Sequence, residues 1–110
     1  MKVKNSILSD KNLDPVVLDF ILKSGQTHAW IKKIILFGSR ARGDNSVRSD
    51  YDLAVEVTYD DDSLWPKFAL NFREKFPSLC GLDLININSK VSVTLLDKIA
   101  EEGVIIYDKS

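Results

Sequence analysis

The segment from Ile34 to Val57 constrains the fold of this chain more than any other. It begins with the apolar run Ile-Ile-Leu-Phe, passes through the basic loop Gly-Ser-Arg-Ala-Arg-Gly, and ends in a second apolar run that opens with Asp-Tyr-Asp. Short apolar runs bounded by glycine and polar residues are typical of buried strands. The segment therefore predicts two neighbouring antiparallel strands whose connecting loop lies at one edge of a sheet.

Two carboxylates mark the start of the second strand. Asp50 and Asp52 are two residues apart. Because strand side chains alternate between faces, both carboxylates point to one face while Tyr51 points to the other. Two carboxylates on one face repel each other unless a cation lies between them, and magnesium prefers oxygen ligands of this kind. A divalent metal site is the simplest explanation of the pair.

The loop before these carboxylates has the composition of an anion site. Gly38 and Gly43 permit backbone conformations that a β-carbon would penalise, and they let amide groups approach an anion closely. Ser39 adds a hydroxyl, while Arg40 and Arg42 add guanidinium donors suited to phosphate oxygens. The combination predicts a nucleoside triphosphate site. A Walker loop is excluded, because its second glycine precedes Lys-Ser or Lys-Thr and here an aspartate follows.

These residues resemble the minimal nucleotidyltransferases of the DNA polymerase β-like superfamily. The family pattern is Gly-Ser, ten residues and Asp-x-Asp, usually with Gly-Ser-x-Ala-Arg-Gly as the loop. In this chain Gly38-Ser39 is followed by ten residues and then by Asp50-Tyr51-Asp52. The alternative is an ordinary charged hairpin loop in which Asp50 caps or solvates the next strand. That alternative does not explain why both carboxylates share a face.

A third acidic residue, Asp83, lies inside the apolar run Leu-Asp-Leu-Ile-Asn-Ile. An ionised carboxylate in such a run needs a partner, or its pKa must rise. Members of the resembled family carry a third acid in a following strand, and Asp83 is the position that fits. The alternative is a solvent-facing side chain on an edge strand. The resemblance implies that Asp50, Asp52 and Asp83 are catalytic and hold two magnesium ions (Mg2+), with ATP as the substrate.

The rest of the chain predicts one α/β domain over residues 1–110, an ordinary domain size. Helix and strand patterns alternate, at about 14–25 (helix), 31 or 34 to 37 (strand), 39–42 (short helix), 52–57 (strand), 64–76 (helix), 81–87 (strand), 92–102 (helix) and 104–107 (strand). This order predicts a small mixed β-sheet with helices packed mainly on one face. The resemblance adds the polymerase β palm-like fold of nucleotidyltransferases, over about Asp14 to Tyr107.

Charge and composition narrow the functional class. The net charge is −1, from 15 basic against 16 acidic residues, whereas general nucleic-acid binders usually show a basic excess. The single cysteine cannot form an internal disulfide, and neither a signal peptide nor an apolar run of membrane length is visible. We therefore expect a cytoplasmic protein without a membrane or general nucleic-acid partner.

The resemblance also implies a partner. Members of this length are similar to the antitoxin of HEPN/MNT toxin–antitoxin modules, in which the partner is a small helical HEPN protein. It implies transfer of AMP from ATP to a tyrosine of that toxin. Two other hypotheses stay open: a non-catalytic nucleotide-binding module that neutralises its partner by occlusion, and the donor-site subunit of an enzyme modifying a small molecule or an RNA end. The three aspartates argue against occlusion alone.

Overall fold

The computed structural model describes residues 9–58 and 63–109. The acidic run Asp60–Asp62, which the sequence favours as a solvated loop, and residues 1–8 of the polar start of the chain (Met1 to Leu13) lie outside these residues. The elements are α1 (Pro15–Thr27), β1 (Ile31–Phe37), α2 (Ser39–Arg42), β2 (Tyr51–Val57), α3 (Leu64–Lys75), β3 (Leu82–Asn86), α4 (Val93–Glu102) and β4 (Val104–Asp108). Every expected element is present. No helix in the described part of the chain is long and apolar enough to cross a membrane.

The four strands form one mixed sheet in the order β3-β2-β1-β4. β1 is antiparallel to both β2 and β4, whereas β2 and β3 are parallel. The register pairs Phe37 with Asp52, and Asp52 in turn with Asp83. On the other side of β1, Leu36 pairs with Val104. The end of β1 and the starts of β2, β3 and β4 therefore meet at one edge of the sheet.

Helices cover the two faces of the sheet unequally. Strand residues whose side chains point to one face of the sheet pack against α1 and α3. This cluster includes Ile34, Leu36, Leu53, Val55, Val17, Ile21, Phe68 and Phe72. Residues whose side chains point to the other face pack against α4, in a smaller cluster of Ile35, Phe37, Ala54 and Ile99. The mixed sheet is as expected from the sequence, with two of the three long helices on one face. By alternation, Asp52 and Asp83 belong to the face that carries α4.

The first helix begins as the sequence predicts but ends later. Asp14 is the N-cap and accepts a hydrogen bond from the backbone amide of Val16, with Pro15 in the first turn. The expected stop at Gly25 is wrong, because α1 continues to Thr27. A β-carbon at Gly25 would lie 2.6 Å from Cδ2 of the Tyr107 ring. Gly25 therefore permits close packing of α1 on β4.

Candidate active site

The turn after β1 depends on glycine at its first position. Gly38 has φ +76° and ψ −159°, a backbone conformation that side chains with a β-carbon rarely adopt. A β-carbon there would also collide with carboxylate oxygen Oδ2 of Asp52. The short helix α2 follows at once and ends at Gly43, whose φ is +89°. Gly38 thus lets the Asp52 carboxylate lie directly against the Gly38–Ser39 turn.

Backbone amides are the groups that α2 offers to an anion. Within the turn, the amides of Ala41 and Arg42 donate to the carbonyl of Gly38, at 3.1 and 3.0 Å. The first amides of any helix have no acceptor inside the helix and point out of its N-terminus. Those of Ser39 and Arg40 are therefore the candidates for phosphate oxygens, together with the half-buried Ser39 hydroxyl.

The structure brings the three aspartates, which we call the acidic triad (Asp50, Asp52 and Asp83), to the same edge of the sheet. Asp52 and Asp83 are register partners in neighbouring parallel strands and so point to the same face. Asp50 lies beside Gly81, where a β-carbon would collide with its Oδ1 atom. Asp83 is also exposed to solvent on an edge strand, which is the alternative considered from the sequence. It is therefore both solvent-exposed and a neighbour of Asp52.

Electrostatics within the triad disfavour a negative charge on its central member. Burial raises the pKa of Asp52, and the negative charges of Asp83 and Asp50 raise it further. Lys98 and Arg42 oppose this rise in the pKa. The site thus has an excess of negative charge and offers carboxylate oxygens, which is the donor set that magnesium prefers.

The three side chains of the triad do not form a preorganised metal-binding geometry. Among residues 9–58 and 63–109, no three His, Cys, Asp or Glu side chains are already arranged to hold a metal ion. Mutual repulsion keeps unneutralised carboxylates apart, so a cation would have to draw them inwards. The type and location of the donors fit a divalent metal, and binding would require side-chain adjustment.

Arg42 faces this site at the surface. Its Nε donates to Asp44 Oδ2 at 3.1 Å and its Nη1 to Glu102 Oε2 at 2.9 Å. These hydrogen bonds raise the pKa of the guanidinium above its ordinary value. Both partners are side-chain carboxylates, and that of Asp44 is exposed whereas that of Glu102 is largely buried. Side-chain carboxylates can move aside, so Arg42 could accept another anion.

Arg40 points into the protein instead. Its side chain is 3% exposed. The guanidinium donates to the carbonyl oxygens of Ser49, Asn12 and Val47, at 3.0, 3.1 and 3.2 Å. Its central carbon also lies 3.9 Å from the centroid of the Tyr51 ring. This corrects the expectation that the Arg40 side chain contacts phosphate, because the guanidinium is buried and donates to backbone carbonyl oxygens instead.

Two residues at this edge have no counterpart in the sequence-based expectations. Glu102, the last residue of α4, accepts a hydrogen bond on Oε1 from the Gly38 amide at 3.2 Å. Lys98 lies one turn earlier on the same side of α4 and lowers the pKa of Asp52. The sequence indicates only that Lys98 and Glu102, four residues apart, share one side of a helix. It does not reveal that this side faces the site, because the position of α4 follows from the pairing of β4 with β1.

Comparison with known proteins agrees with this geometry. Residues 11–110 match the family model described as Polymerase beta, Nucleotidyltransferase. The chain therefore belongs to this family and is an enzyme of the nucleotidyltransferase type. The family expected from the Gly-Ser and Asp-x-Asp pattern is confirmed.

Individual relatives sharpen this classification. A protein of Methanocaldococcus jannaschii that carries the name "Putative protein adenylyltransferase" is 34% identical over 101 residues, covering 87% of this chain and 99% of the relative. A chain in the crystal structure of a toxin–antitoxin with AMP-PNP is 22% identical, with a TM-score of 0.66 over 84% of this chain and 74% of that one.

A second similar structure is the complex of a tri-AMPylated Shewanella oneidensis HEPN toxin with its MNT antitoxin. The matching chain is 20% identical, with a TM-score of 0.62 over 86% of this chain and 71% of that one. At such identities the solved structures establish the shared fold.

Proposed function

We propose that this chain transfers AMP from ATP to a hydroxyl group on a partner protein. The name of the M. jannaschii relative supports a protein as the acceptor. One similar complex contains an AMPylated HEPN toxin with an MNT antitoxin, which supports a small helical HEPN toxin as the target and the role of antitoxin for this chain. The family resemblance adds a tyrosine as the acceptor. The observation that carries the proposal is the acidic triad beside the Gly38–Ser39 turn.

The donor half of the site is assigned to the turn and α2. Amides at the start of α2, the Ser39 hydroxyl and the Arg42 guanidinium hold the β and γ phosphates. Gly38 contributes its backbone amide and the conformation of the turn, and Gly43 contributes by backbone conformation alone. The position of Arg42 at the surface beside Asp52 supports its part in this set.

The acidic triad holds magnesium in this proposal, as two ions. When bound, these ions polarise the α-phosphate and neutralise charge on the departing pyrophosphate. Burial, with the charges of Asp83 and Asp50, raises the pKa of Asp52, and a nearby positive charge would offset these effects, which supports a cation at this position.

The reaction is a single in-line displacement. The acceptor oxygen forms a bond to the α-phosphorus, the bond from that phosphorus to the α–β bridging oxygen breaks, and pyrophosphate leaves. Asp83 takes the proton of the acceptor hydroxyl, a role supported by its exposure on the edge strand, where a partner protein can reach it. Positioning and electrostatics carry the catalysis, and no covalent enzyme intermediate is needed.

Substitution of the central aspartate tests the proposal. Asp52→Asn keeps the shape of the side chain and removes its charge, so we expect AMP transfer to fall by about 10³-fold or more. The measurement is intact-mass spectrometry of the co-purified partner after incubation with ATP and magnesium. Asp97→Asn is the matched control, because Asp97 is an exposed carboxylate on α4.

The same spectra separate the competing functions. A gain of one or more AMP units on the partner, lost only in Asp52→Asn, supports the proposal. A partner that is tightly bound and unmodified by the unaltered chain would instead favour neutralisation by occlusion. AMP recovered only on a small molecule or an RNA end would identify the chain as the donor-site subunit of a different transferase.

A further inference from the structure

The carboxylate of Glu102 occupies the donors that the proposed function assigns to phosphate. One of its oxygens accepts from the Gly38 amide at 3.2 Å, and the other accepts from Arg42 Nη1 at 2.9 Å. Two oxygens of one anionic group thus bind one backbone amide and one guanidinium. A phosphate would present the same arrangement of charge and acceptors.

The fold fixes this contact at long range. Leu36 pairs with Val104, so the residues just before β4 must lie beside the end of β1. Gly103 connects α4 to β4, and a β-carbon there would lie 2.8 Å from Cγ2 of Ile35 and would collide with the carbonyl of Ile99. The last turn of α4 therefore packs tightly on β1. The Glu102 side chain, 18% exposed, reaches the Gly38–Ser39 turn from this fixed position.

Glu102 and a bound triphosphate cannot share these donors at low cost. The surrounding charge is already negative, because the acidic triad lies on the same face of the sheet. Arg42 and Lys98 are the cations that act on Asp52 here. A phosphate placed beside an ionised Glu102 would meet like charge at short range, which is unfavourable.

We infer that Glu102 is a placeholder anion that competes with the triphosphate for the Gly38 amide and Arg42. In the absence of nucleotide it holds the Gly38 amide and Arg42 in position, and it yields both to the incoming triphosphate. This inference rests on the proposed function. A single phosphate only exchanges one anion for another, whereas a triphosphate accompanied by magnesium makes further contacts and brings positive charge. Displacement of Glu102 therefore requires contacts beyond these two donors, which a triphosphate with magnesium supplies and a single phosphate lacks.

Binding measurements without acceptor test this role. The probes are AMP-PNP with magnesium, inorganic tripolyphosphate and inorganic phosphate, titrated by calorimetry. Glu102→Gln keeps the shape and one acceptor but removes the competing charge, so we expect each probe to bind about threefold to tenfold more tightly. The gain should be similar for the three probes, because each of them displaces the same carboxylate.

Glu101→Gln is the matched control for this substitution. It removes the same charge from the neighbouring exposed position on α4. Only the general charge of the surface changes, so we expect less than about a twofold change in affinity at physiological salt. Glu102→Ala is a second variant for which the same direction is expected, should the glutamine variant fold poorly.

Thermal unfolding distinguishes a placeholder from a purely structural contact. Without ligand, Glu102→Gln should melt at or below the temperature of the unaltered chain, because a charge-assisted hydrogen bond is weakened. With saturating AMP-PNP, its ligand-induced rise in Tm should be larger. A structural contact would instead lower the Tm and weaken nucleotide binding together.

The outcomes separate this inference from the proposed function. Unchanged or weaker binding in both Glu102 variants, with normal AMP-PNP binding by the unaltered chain, would overturn the placeholder role alone. Failure of the unaltered chain to bind AMP-PNP, or binding that ignores Arg42→Gln, would overturn the donor site itself. If Glu102→Gln no longer increases the affinity for AMP-PNP in a chain that also carries Arg42→Gln, this would support competition between Glu102 and phosphate for the Arg42 guanidinium.

Discussion

Arg40 and Arg42 are two residues apart in the same short helix, yet they belong to different parts of the molecule. Arg40 is buried and binds backbone carbonyl oxygens. Arg42 binds carboxylates at the surface. Backbone carbonyls are held in place by the fold, whereas a side-chain carboxylate can rotate away, as the proposed phosphate contact of Arg42 requires. The chemical type of the partner, more than the type of the loop residue, therefore distinguishes an arginine of the scaffold from one of the site.

The contacts of Arg40 join three segments around the site. They reach the residues before α1 through Asn12, and the loop between α2 and β2 through Val47 and Ser49. A longer contact of 3.7 Å reaches Sγ of Cys80, just before β3. Arg40 thereby links the segments that flank the acidic triad, so we expect its contribution to function to be indirect.

Removing Arg40 should have the largest effect on stability. Arg40→Met removes three hydrogen bonds to carbonyl oxygens and the contact with the Tyr51 ring, and of the three carbonyls that of Val47 still accepts from Cys80 Sγ. We expect the free energy of unfolding to fall by roughly 2 to 4 kcal/mol, out of the total of about 5 to 15 kcal/mol typical of a domain. Urea unfolding followed by circular dichroism measures this loss. Arg40→Lys should be intermediate, because an ammonium group lacks the planar fork of donors.

A different result for Arg40 would break the comparison. If Arg40→Met unfolded like the unaltered chain but no longer bound AMP-PNP, the side chain would be acting on the ligand after all. We expect the fraction that remains folded to bind AMP-PNP with nearly unchanged affinity.

Arg42→Gln should show the reverse pattern. The side chain is 39% exposed, so its removal should leave the urea midpoint close to that of the unaltered chain. Loss of a guanidinium from the proposed phosphate contact should weaken AMP-PNP binding by about tenfold, measured by calorimetry. Arg48→Gln provides a matched control, because Arg48 is an exposed arginine of the neighbouring loop. Equal losses of affinity in the two variants would show that only general charge matters.

The features that could be predicted from sequence are the local ones. Strand alternation places Asp50 and Asp52 on one side, and a positive φ at Gly38 follows the requirement for a tight turn against a carboxylate. Element boundaries could also be predicted, apart from the end of α1, because helix caps and hydrophobic periodicity are properties of short sequence segments. The pairing of Asp83 with Asp52 came from resemblance to a family, since no local pattern specifies which strands become neighbours.

The features that escaped prediction depend on tertiary packing. The direction of Arg40 is determined by carbonyls up to 28 positions away in the chain. Glu102 reaches Gly38 across 64 positions because β4 pairs with β1. Gly25 looks like a helix stop until the Tyr107 ring is seen to pack on it. In each case a residue with an ordinary local interpretation acquires its role from a partner that the sequence does not reveal.

The comparison between residues that support the fold and residues of the site also applies to Asp52, for which a smaller effect on stability is expected. Burial and the charges of Asp83 and Asp50 raise the pKa of Asp52 from its ordinary 3.8. The folded chain therefore holds this proton more tightly than the unfolded chain does. Its contribution to the free energy of unfolding decreases as the pH rises from 3.8 through the raised pKa, and it is unfavourable at neutral pH.

Asp52→Asn should consequently stabilise the metal-free fold. In the presence of a chelator at neutral pH we expect the variant to melt a few degrees above the unaltered chain, and the difference should shrink as the pH is lowered towards the ordinary pKa. Added magnesium should reverse the order, because only the unaltered triad gains a neutralising cation. Melting curves over a pH series, with Asp97→Asn for comparison, measure both effects. A variant that is less stable than the unaltered chain at neutral pH without metal would mean that Asp52 supports the fold, as Arg40 does, and the division between scaffold and site would not extend to the carboxylates.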